Sequence, residues 1–372
     1  MTKISATLNQ DPTADLTVLL SDVSTSYPSK RRKTTETPTS NRKGEIPVAS
    51  TLGQLVTSLF SGRDSDNAAE RDEKSTTIPP PPKLEILYPL APAALAAIGL
   101  SDGSSETEIE SALVQFPRTL AQGEILHKLC GRQIVGLGLN VVVKCGSNVD
   151  PAEHYLLEYL QVHCPTMQSP KPLGFFILDR QLHLFMTRIK GVTLHSRWSS
   201  MSLSQKASVC SKLNTMLSDL HGILCPPSVP LGSLIPPYNC KDARFHVRIS
   251  GQIHNEAEFN DFLLSTPLKS ISPSYLKWLR SYLRDDHQIV LSHGDLNPKN
   301  IILLDQEDGS VSISGIIDWE MGGWYPEYWD ALKALNVRST ADESDWWCSL
   351  PEQLNRYVSE VAVNHLVEIS TR

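Results

Sequence analysis

The chain has 372 residues, with 34 lysines and arginines against 41 aspartates and glutamates, a formal net charge of −7, 40% hydrophobic and 20% charged residues. That is an ordinary globular composition with enough chain for a large core, and its mild acidity argues against a nucleic-acid binder, which carries clustered basic surface. No apolar run nears the ~20 residues of a membrane helix, and the first residues lack an apolar core with a cleavage site, so neither a membrane nor secretion is expected. Seven cysteines, odd in number and without a CxxC pair, fit reduced thiols in a cytoplasmic or nuclear protein rather than a zinc site or a disulfide scaffold.

In chain order, residues 1–82 read as a disordered tail. Residues 1–80 hold 24 serines and threonines but only two aromatics, Tyr27 and Phe60. So polar a segment cannot bury enough surface to offset its ordering entropy. Pro79–Pro82 closes it as a stiff spacer. Lys30–Lys33 reads as a solvated basic cluster, with a nuclear import signal as the alternative. The apolar stretch Leu52–Phe60 reads as a fluctuating helical turn, with transient docking of the tail on a protein partner as the alternative.

The body reads as α+β in two lobes, a β-rich part with a helical lead-in over 83–188 and a helical part over 189–372. A helix is expected over Glu106–Phe116, then a β-hairpin over Ile134–Lys144, where Val, Leu and Gly concentrate. Asp150-Pro151 starts a helix, with Asp as cap and Pro in the first turn. Strands follow near Leu173–Leu178 and His183–Thr187. Ser202 and Gln205 form a capping box for a helix whose face is Val209, Leu213, Met216, Leu217 and Leu220, ending at Gly222. Further helices are expected over Ala257–Leu264 and Pro273–Arg284.

The segment Leu291–Leu304, continuing to Glu320, carries the chemistry. Ile301–Leu304 and Val311–Ile317 are apolar strands joined through the turn pair Asp308-Gly309. A hairpin sets the start of its first strand beside the end of its second, so Asn300 and Asp318 come together. An amide oxygen and a carboxylate are hard ligands suited to Mg²⁺. Asp295, five residues before Asn300, lies in the loop entering the same hairpin, where a carboxylate can accept a proton or orient a nucleophile.

His293-Gly-Asp-Leu-x-x-x-Asn300, followed by this hairpin and Ile316-Ile-Asp-Trp-Glu320, resembles the aminoglycoside phosphotransferase family, part of the kinase-like group. Gly322–Asp330 is similar to the corresponding segment of fungal members. The resemblance spans roughly residues 125–370 and none of the tail. It implies a bilobal kinase-like fold and transfer of the γ-phosphate of ATP to a small-molecule hydroxyl. Asp295 is then the base, Asn300 and Asp318 hold Mg²⁺, and His293 and Asp330 brace the loop. Glu320 is either a brace or a reach toward a second metal through water. Val141-Val-Val-Lys144 resembles the strand that supplies a phosphate-binding lysine. Its anionic partner is expected to be Glu153, which centres the stripe Leu156, Leu157 and Leu160, whereas Glu158 points ~140° away. Met186–Gly191 stands in the place of the hinge, with backbone groups of Met186 and Ile189 against the adenine.

Two departures bear on the acceptor. No Gly-x-Gly-x-x-Gly precedes Lys144, leaving Gly131, Gly136 and Gly138 as candidates for a turn over the phosphates. Pro326-Glu327 follows Asp318 too soon for the long activation segment that holds a peptide, which favours a small molecule. The group Trp319, Trp324, Tyr325, Trp329, Trp346 and Trp347 with Asp342, Glu343 and Asp345 reads mainly as helical core and a helix start. The alternative is a cleft for an amine or amino sugar. A nucleotide- or partner-binding scaffold without turnover is the competing function.

Overall fold

The computed structural model describes residues 82–129, 131–243, 247–336 and 345–371. The expected tail through Pro81, with Lys30–Lys33, and the acidic Asp342 and Glu343 lie outside them. Strand β1 (Leu84–Tyr88) leads into three short helices, α1 (Pro92–Ala97), α2 (Glu106–Val114) and α3 (Phe116–Ala121). Ser105 and Glu108 cap α2 reciprocally. The single helix expected over 106–116 ends early and a new one starts at Phe116-Pro117, because proline offers no N–H to continue a ladder but suits a first turn.

Strands β2 (Glu124–Leu129), β3 (Arg132–Leu137) and β4 (Val141–Gly146) form a meander, and helix α4 (Ala152–His163) leads to β5 (Pro172–Leu178) and β6 (Gln181–Thr187). These six strands make one antiparallel sheet in the order β1-β5-β6-β4-β3-β2. The expected hairpin is β3–β4, with Ile134 opposite Lys144. The edge strand β2 carries no such sequence signal, since it is exposed along its length and shows no buried alternation.

Alternation along β4 decides where Lys144 goes. Val141, Val143 and Cys145 join Leu113, Phe116 and Phe185 in a core under the lead-in helices. Val142 joins Phe175, Leu184 and Met186 on the other face, against Tyr155 of α4. A period of two therefore puts Lys144 on the α4 side.

The chain then becomes mostly helical. In order come β7 (Val192–Thr193), α5 (Leu194–Arg197), α6 (Leu203–His221), the hairpin β8 (Asn239–Ala243) and β9 (Val247–Gln252), α7 (Glu256–Leu264) and α8 (Pro273–Arg280). They are followed by β10 (Ile289–Ser292), the hairpin β11 (Ile301–Asp305) and β12 (Val311–Ile316), β13 (Gly323–Pro326), α9 (Trp329–Asn336), α10 (Glu352–Asn355) and α11 (Val358–Ser370). Helix α6 has the expected capping box and buries all five residues of the expected face. Helix α8 stops at Arg280 rather than 284. There the Asn260 amide takes the Arg284 carbonyl (2.6 Å) and the Arg280 guanidinium spans Asp261 and Asp285, which turns the chain.

A large core joins Leu156, Leu157 and Leu160 of α4 to Leu213 and Leu217 of α6, Ile301, Ile316 and Trp319. Helix α4 thus packs in two places, with Tyr155 under the sheet and its leucines in the helical lobe. Trp319, Trp324, Trp329 and Trp346 are each at most 2% exposed, so the aromatic concentration is core. Asp345 is paired with Lys206 (2.8 Å) and accepts the Trp198 indole N–H. No helix among the described residues is long and apolar enough to cross a membrane.

Candidate active site

At the end of β4, Lys144 is 2% exposed and meets three carboxylates. Its Nζ lies 2.8 Å from Glu153, 2.7 Å from Asp318 and 2.8 Å from Glu320. Asp150 accepts the Ala152 N–H (2.8 Å) where α4 begins, and Glu153 follows in the first turn. The second oxygen of Glu153 accepts the Trp319 N–H at 3.0 Å, so one carboxylate holds both the lysine and the turn after Asp318. The expected Lys144–Glu153 pair is formed, and tertiary structure adds Asp318 and Glu320 to it. Asp318 itself has φ 67° and ψ 60°, a left-handed conformation that aspartate tolerates better than most residues.

Burial works against the charge of Lys144, but Glu153, Asp318 and Glu320 together raise its pKa well above that of an ordinary lysine. Burial also opposes the charge of Asp318, yet Lys144 and then Arg132 hold it below the usual carboxylate range. Glu153 is pushed up by its burial.

The second half of the site is the loop 293–300. The β11–β12 register sets Ile301 opposite Ile316, and the Ile317 N–H donates to the Asn300 carbonyl (2.9 Å), which brings Asn300 beside the approach to Asp318. The Asn300 amide donates to the backbone carbonyl (2.8 Å) and carboxylate (3.0 Å) of Asp295. His293 accepts the Asp295 N–H at Nδ1 (3.2 Å) and donates from Nε2 to the Ile317 carbonyl (2.9 Å). Those two bonds select the neutral Nε2–H tautomer. Burial raises the Asp295 carboxyl above its ordinary value, and the nearby Asp318 charge acts in the same direction.

Asp330, at the start of α9 and fully buried, accepts the His293 N–H (3.1 Å), the Gly294 N–H (2.9 Å) and His221 Nε2 (3.0 Å). Burial opposes its charge, but His221 and these donors hold it below the usual range. Gly294 has φ +76°, and a Cβ there would stand 2.2 Å from the Met321 carbonyl. The loop therefore needs glycine at this point.

The structure gathers Lys144, Glu153 and Asp318 in one cluster, and Asp295, Asn300 and His293 in the loop beside it, which Asp330 of α9 holds by its backbone N–H groups. Met186 lies near the end of β6, opposite Val142. Ile189 packs over Gly315 of β12, in the segment that links the sheet to the hairpin. Of the three candidate glycines, Gly131 (φ +76°) lies between β2 and β3, Gly136 lies within β3 and Gly138 in the β3–β4 turn. Three participants lack any local sequence signal. Arg132 pairs with Glu320, His221 supports Asp330, and Lys241 contacts Asp150 (2.7 Å) and the Glu320 carbonyl (2.6 Å). Carboxylate oxygens of Glu153, Asp318 and Glu320 lie within 4.8 Å of one another. Asn300 spends its amide nitrogen on Asp295, which leaves its oxygen as the acceptor. This all-oxygen donor set fits a hard divalent cation such as Mg²⁺.

Residues 151–358 match the model described as the phosphotransferase enzyme family, more than half of the chain. The chain belongs to this family. It is a phosphotransferase. The match begins at Pro151, so β1–β4 with Lys144 lie outside it, and the Lys144–Glu153 contact joins them to the matched part. No curated protein matches this phosphotransferase. It is similar to solved structures of aminoglycoside phosphotransferases. One is the streptomycin–ATP–APH(2″)-IIa ternary complex, at 18% identity, 70% of this chain, 86% of that chain and TM-score 0.48. Another is ADP-bound APH(2″)-Ib, at 17%, 70%, 86% and 0.47. A third is APH(3″)-Id from Streptomyces rimosus, at 16%, 72%, 100% and 0.44.

Proposed function

We propose that this phosphotransferase is an ATP- and Mg²⁺-dependent kinase that moves the γ-phosphate of ATP to a hydroxyl of a small molecule, with Asp295 as the base. The observation that carries the reading is the meeting of Lys144 and Asp318 at 2.7 Å, beside a hairpin that ties Asn300 to Asp295. Lys144, held by Glu153, presents a fixed ammonium to the nucleotide phosphates, which take the places of Asp318 and Glu320 around it. Backbone groups of Met186 and Ile189 receive the adenine. Asn300 and Asp318 would hold Mg²⁺, which neutralises phosphate charge when bound. Asp295, oriented by Asn300 and by the His293–Asp295 backbone bond, accepts the proton of the attacking hydroxyl or aligns it. His293 and Asp330 hold the loop in shape. Catalysis then rests on positioning and electrostatic stabilisation.

A small acceptor is supported by the path after Asp318. Residues Gly323–Pro326 pair at once with β10, leaving no long segment to carry a peptide. The four buried tryptophans and the paired Asp345 have packing tasks, which supports reading them as core rather than as a cleft for an amine or amino sugar.

The test is a thermal-shift titration with ATP, with and without Mg²⁺, on the wild type and Asp318→Ala. A ligand at 100 times its Kd stabilises the fold by about 2.7 kcal/mol. A Mg²⁺-dependent shift that the variant loses supports the reading and opens a screen of hydroxyl compounds by ADP release. No shift in the wild type overturns it.

A further inference from the structure

Lys241 belongs to none of the kinase-like motifs, yet it touches both sides of the Lys144 cluster. Strand β8 holds it firmly. The Lys241 N–H donates to the buried Tyr325 hydroxyl (2.9 Å), and the Cys240 N–H donates to Ser250 Oγ (2.9 Å). The next residue, Asp242, is fully buried between Lys333 (2.6 Å) and Arg248 (2.7 Å). From this platform the Lys241 ammonium reaches the Asp150 carboxylate at 2.7 Å and the Glu320 carbonyl at 2.6 Å.

Those two contacts lie on different elements. Asp150 uses its other oxygen to cap the Ala152 N–H, so it is the first fixed point of α4, the helix that carries Glu153. Glu320 is in the turn after Asp318. Glu153, Asp318 and Glu320 are the three carboxylates on Lys144. One ammonium of β8 therefore ties the start of α4 to the turn that carries Asp318. Burying an ammonium is costly, and an apolar side chain of similar length would fill the same space without that cost. What lysine adds is direction, through two charge-assisted or polar bonds of defined geometry.

We propose that Lys241 is a positioning residue for nucleotide binding, locking the N-terminus of α4 to the turn after Asp318 and so setting where Lys144 presents its charge to the phosphates. This rests on the kinase reading above. Lys241 touches no reacting group itself and acts through Glu153, Glu320 and Lys144.

The experiment is a calorimetric titration of the full chain with ATP and Mg²⁺, on the wild type, Lys241→Met, Lys241→Arg and Asp150→Asn, with the melting temperature of each unliganded protein read alongside. Lys241→Met should weaken ATP binding about 10- to 100-fold, the range seen when groups that orient a site's ligands are removed. Lys241→Arg should recover most of that affinity, because a guanidinium can reach both oxygens. Asp150→Asn keeps a good helix cap but loses the charge, and should weaken ATP in the same direction by less. Wild-type affinity in a folded Lys241→Met overturns the inference, as does a loss that a folded Lys241→Arg does not recover. Should Lys241→Met fail to fold, Asp150→Asn decides, and wild-type affinity there is equally fatal. Absence of ATP binding by the wild type overturns the kinase reading first and this inference with it.

Discussion

Asn300 holds Asp295 from two sides, donating one amide group to its backbone carbonyl at 2.8 Å and its carboxylate at 3.0 Å. The Asn300 carbonyl meanwhile accepts the Ile317 N–H at 2.9 Å. One residue, through its side-chain amide and its backbone carbonyl, thus links the loop aspartate to the strand end that leads to Asp318. His293 makes a second bridge between the same two segments.

Replacing Asp295 by Asn should lower kcat by about 10²- to 10⁴-fold, the usual contribution of a positioned base, while ATP affinity stays that of the wild type. Asn300→Ala should lower both, because it removes an acceptor oxygen and frees Asp295. Steady-state ADP release beside ATP titration separates the two variants. Equal loss of ATP affinity in Asp295→Asn would make its role structural.

Lys144→Met leaves Glu153 buried without its cation, which should cost about 3–5 kcal/mol of stability. The sign of its pH dependence follows from the carboxylate. Burial already raises Glu153, and loss of Lys144 removes the charge that opposed the rise. A carboxyl raised in the folded state destabilises the fold as it ionises, so the variant should gain stability as pH falls from 8 toward 5. Adding Glu153→Leu should recover much of the loss and flatten that dependence. Urea unfolding at several pH values is the measurement, and a pH-independent deficit would refute the account.

Asp330→Asn should destabilise by about 3–5 kcal/mol, since three donors converge on that buried carboxylate. Its folded pKa lies below the usual value, so its contribution is fully present above the unfolded pKa and is lost as pH falls through the folded one. The gap between wild type and variant should be constant near neutrality and close below about pH 4. A gap that persists undiminished in acid would show that packing, not charge, is lost.

At Gly294 the prediction is steric. Alanine at φ +76° places a Cβ 2.2 Å from the Met321 carbonyl. Left-handed strain alone costs about 1–2 kcal/mol, and the clash must also move the turn after Asp318. Gly294→Ala should therefore lower the melting temperature and abolish Mg²⁺-dependent ATP stabilisation together. A variant that melts like the wild type and binds ATP normally would contradict this geometry.

His154 offers a test in the sheet lobe. It is buried against Tyr88 and Phe175, with ring centroids 4.2 and 4.9 Å away. Burial pushes its pKa down to about 4. A histidine depressed in the folded state loses stability as pH falls below its unfolded value near 6.5. The wild type should therefore melt at lower temperature at pH 5 than at pH 7, and His154→Phe should reduce that difference. An undiminished difference would place the acid sensitivity elsewhere.

The motif from His293 to Asp318 was legible because its geometry is local. Two apolar strands and a tight turn force Asn300 toward Asp318 whatever else the chain does, and the five-residue step places Asp295 in the same loop. The capping box and apolar face of α6 are read by the same short-range rules. Alternation along β4 and the leucine stripe of α4 were enough to point Lys144 and Glu153 at one another. The early stops of the helices at 114 and 280 were less legible, because a proline start and the Asn260 and Arg280 side chains decide them.

The sequence by itself therefore determined the family, the loop and hairpin that bring Asp295, Asn300 and the approach to Asp318 together, and the pairing of one lysine with one glutamate. Only the tertiary structure decided that Lys144 and Asp318, 174 positions apart, share a contact. It also decided that Arg132 and Lys241 close on Glu320, that Asp330 receives the loop's N–H groups, and that Trp319, Trp324, Trp329 and Trp346 are core. Such pairings connect strands, turns and helices that no periodicity links. They form because buried charges must find partners once the apolar faces have packed.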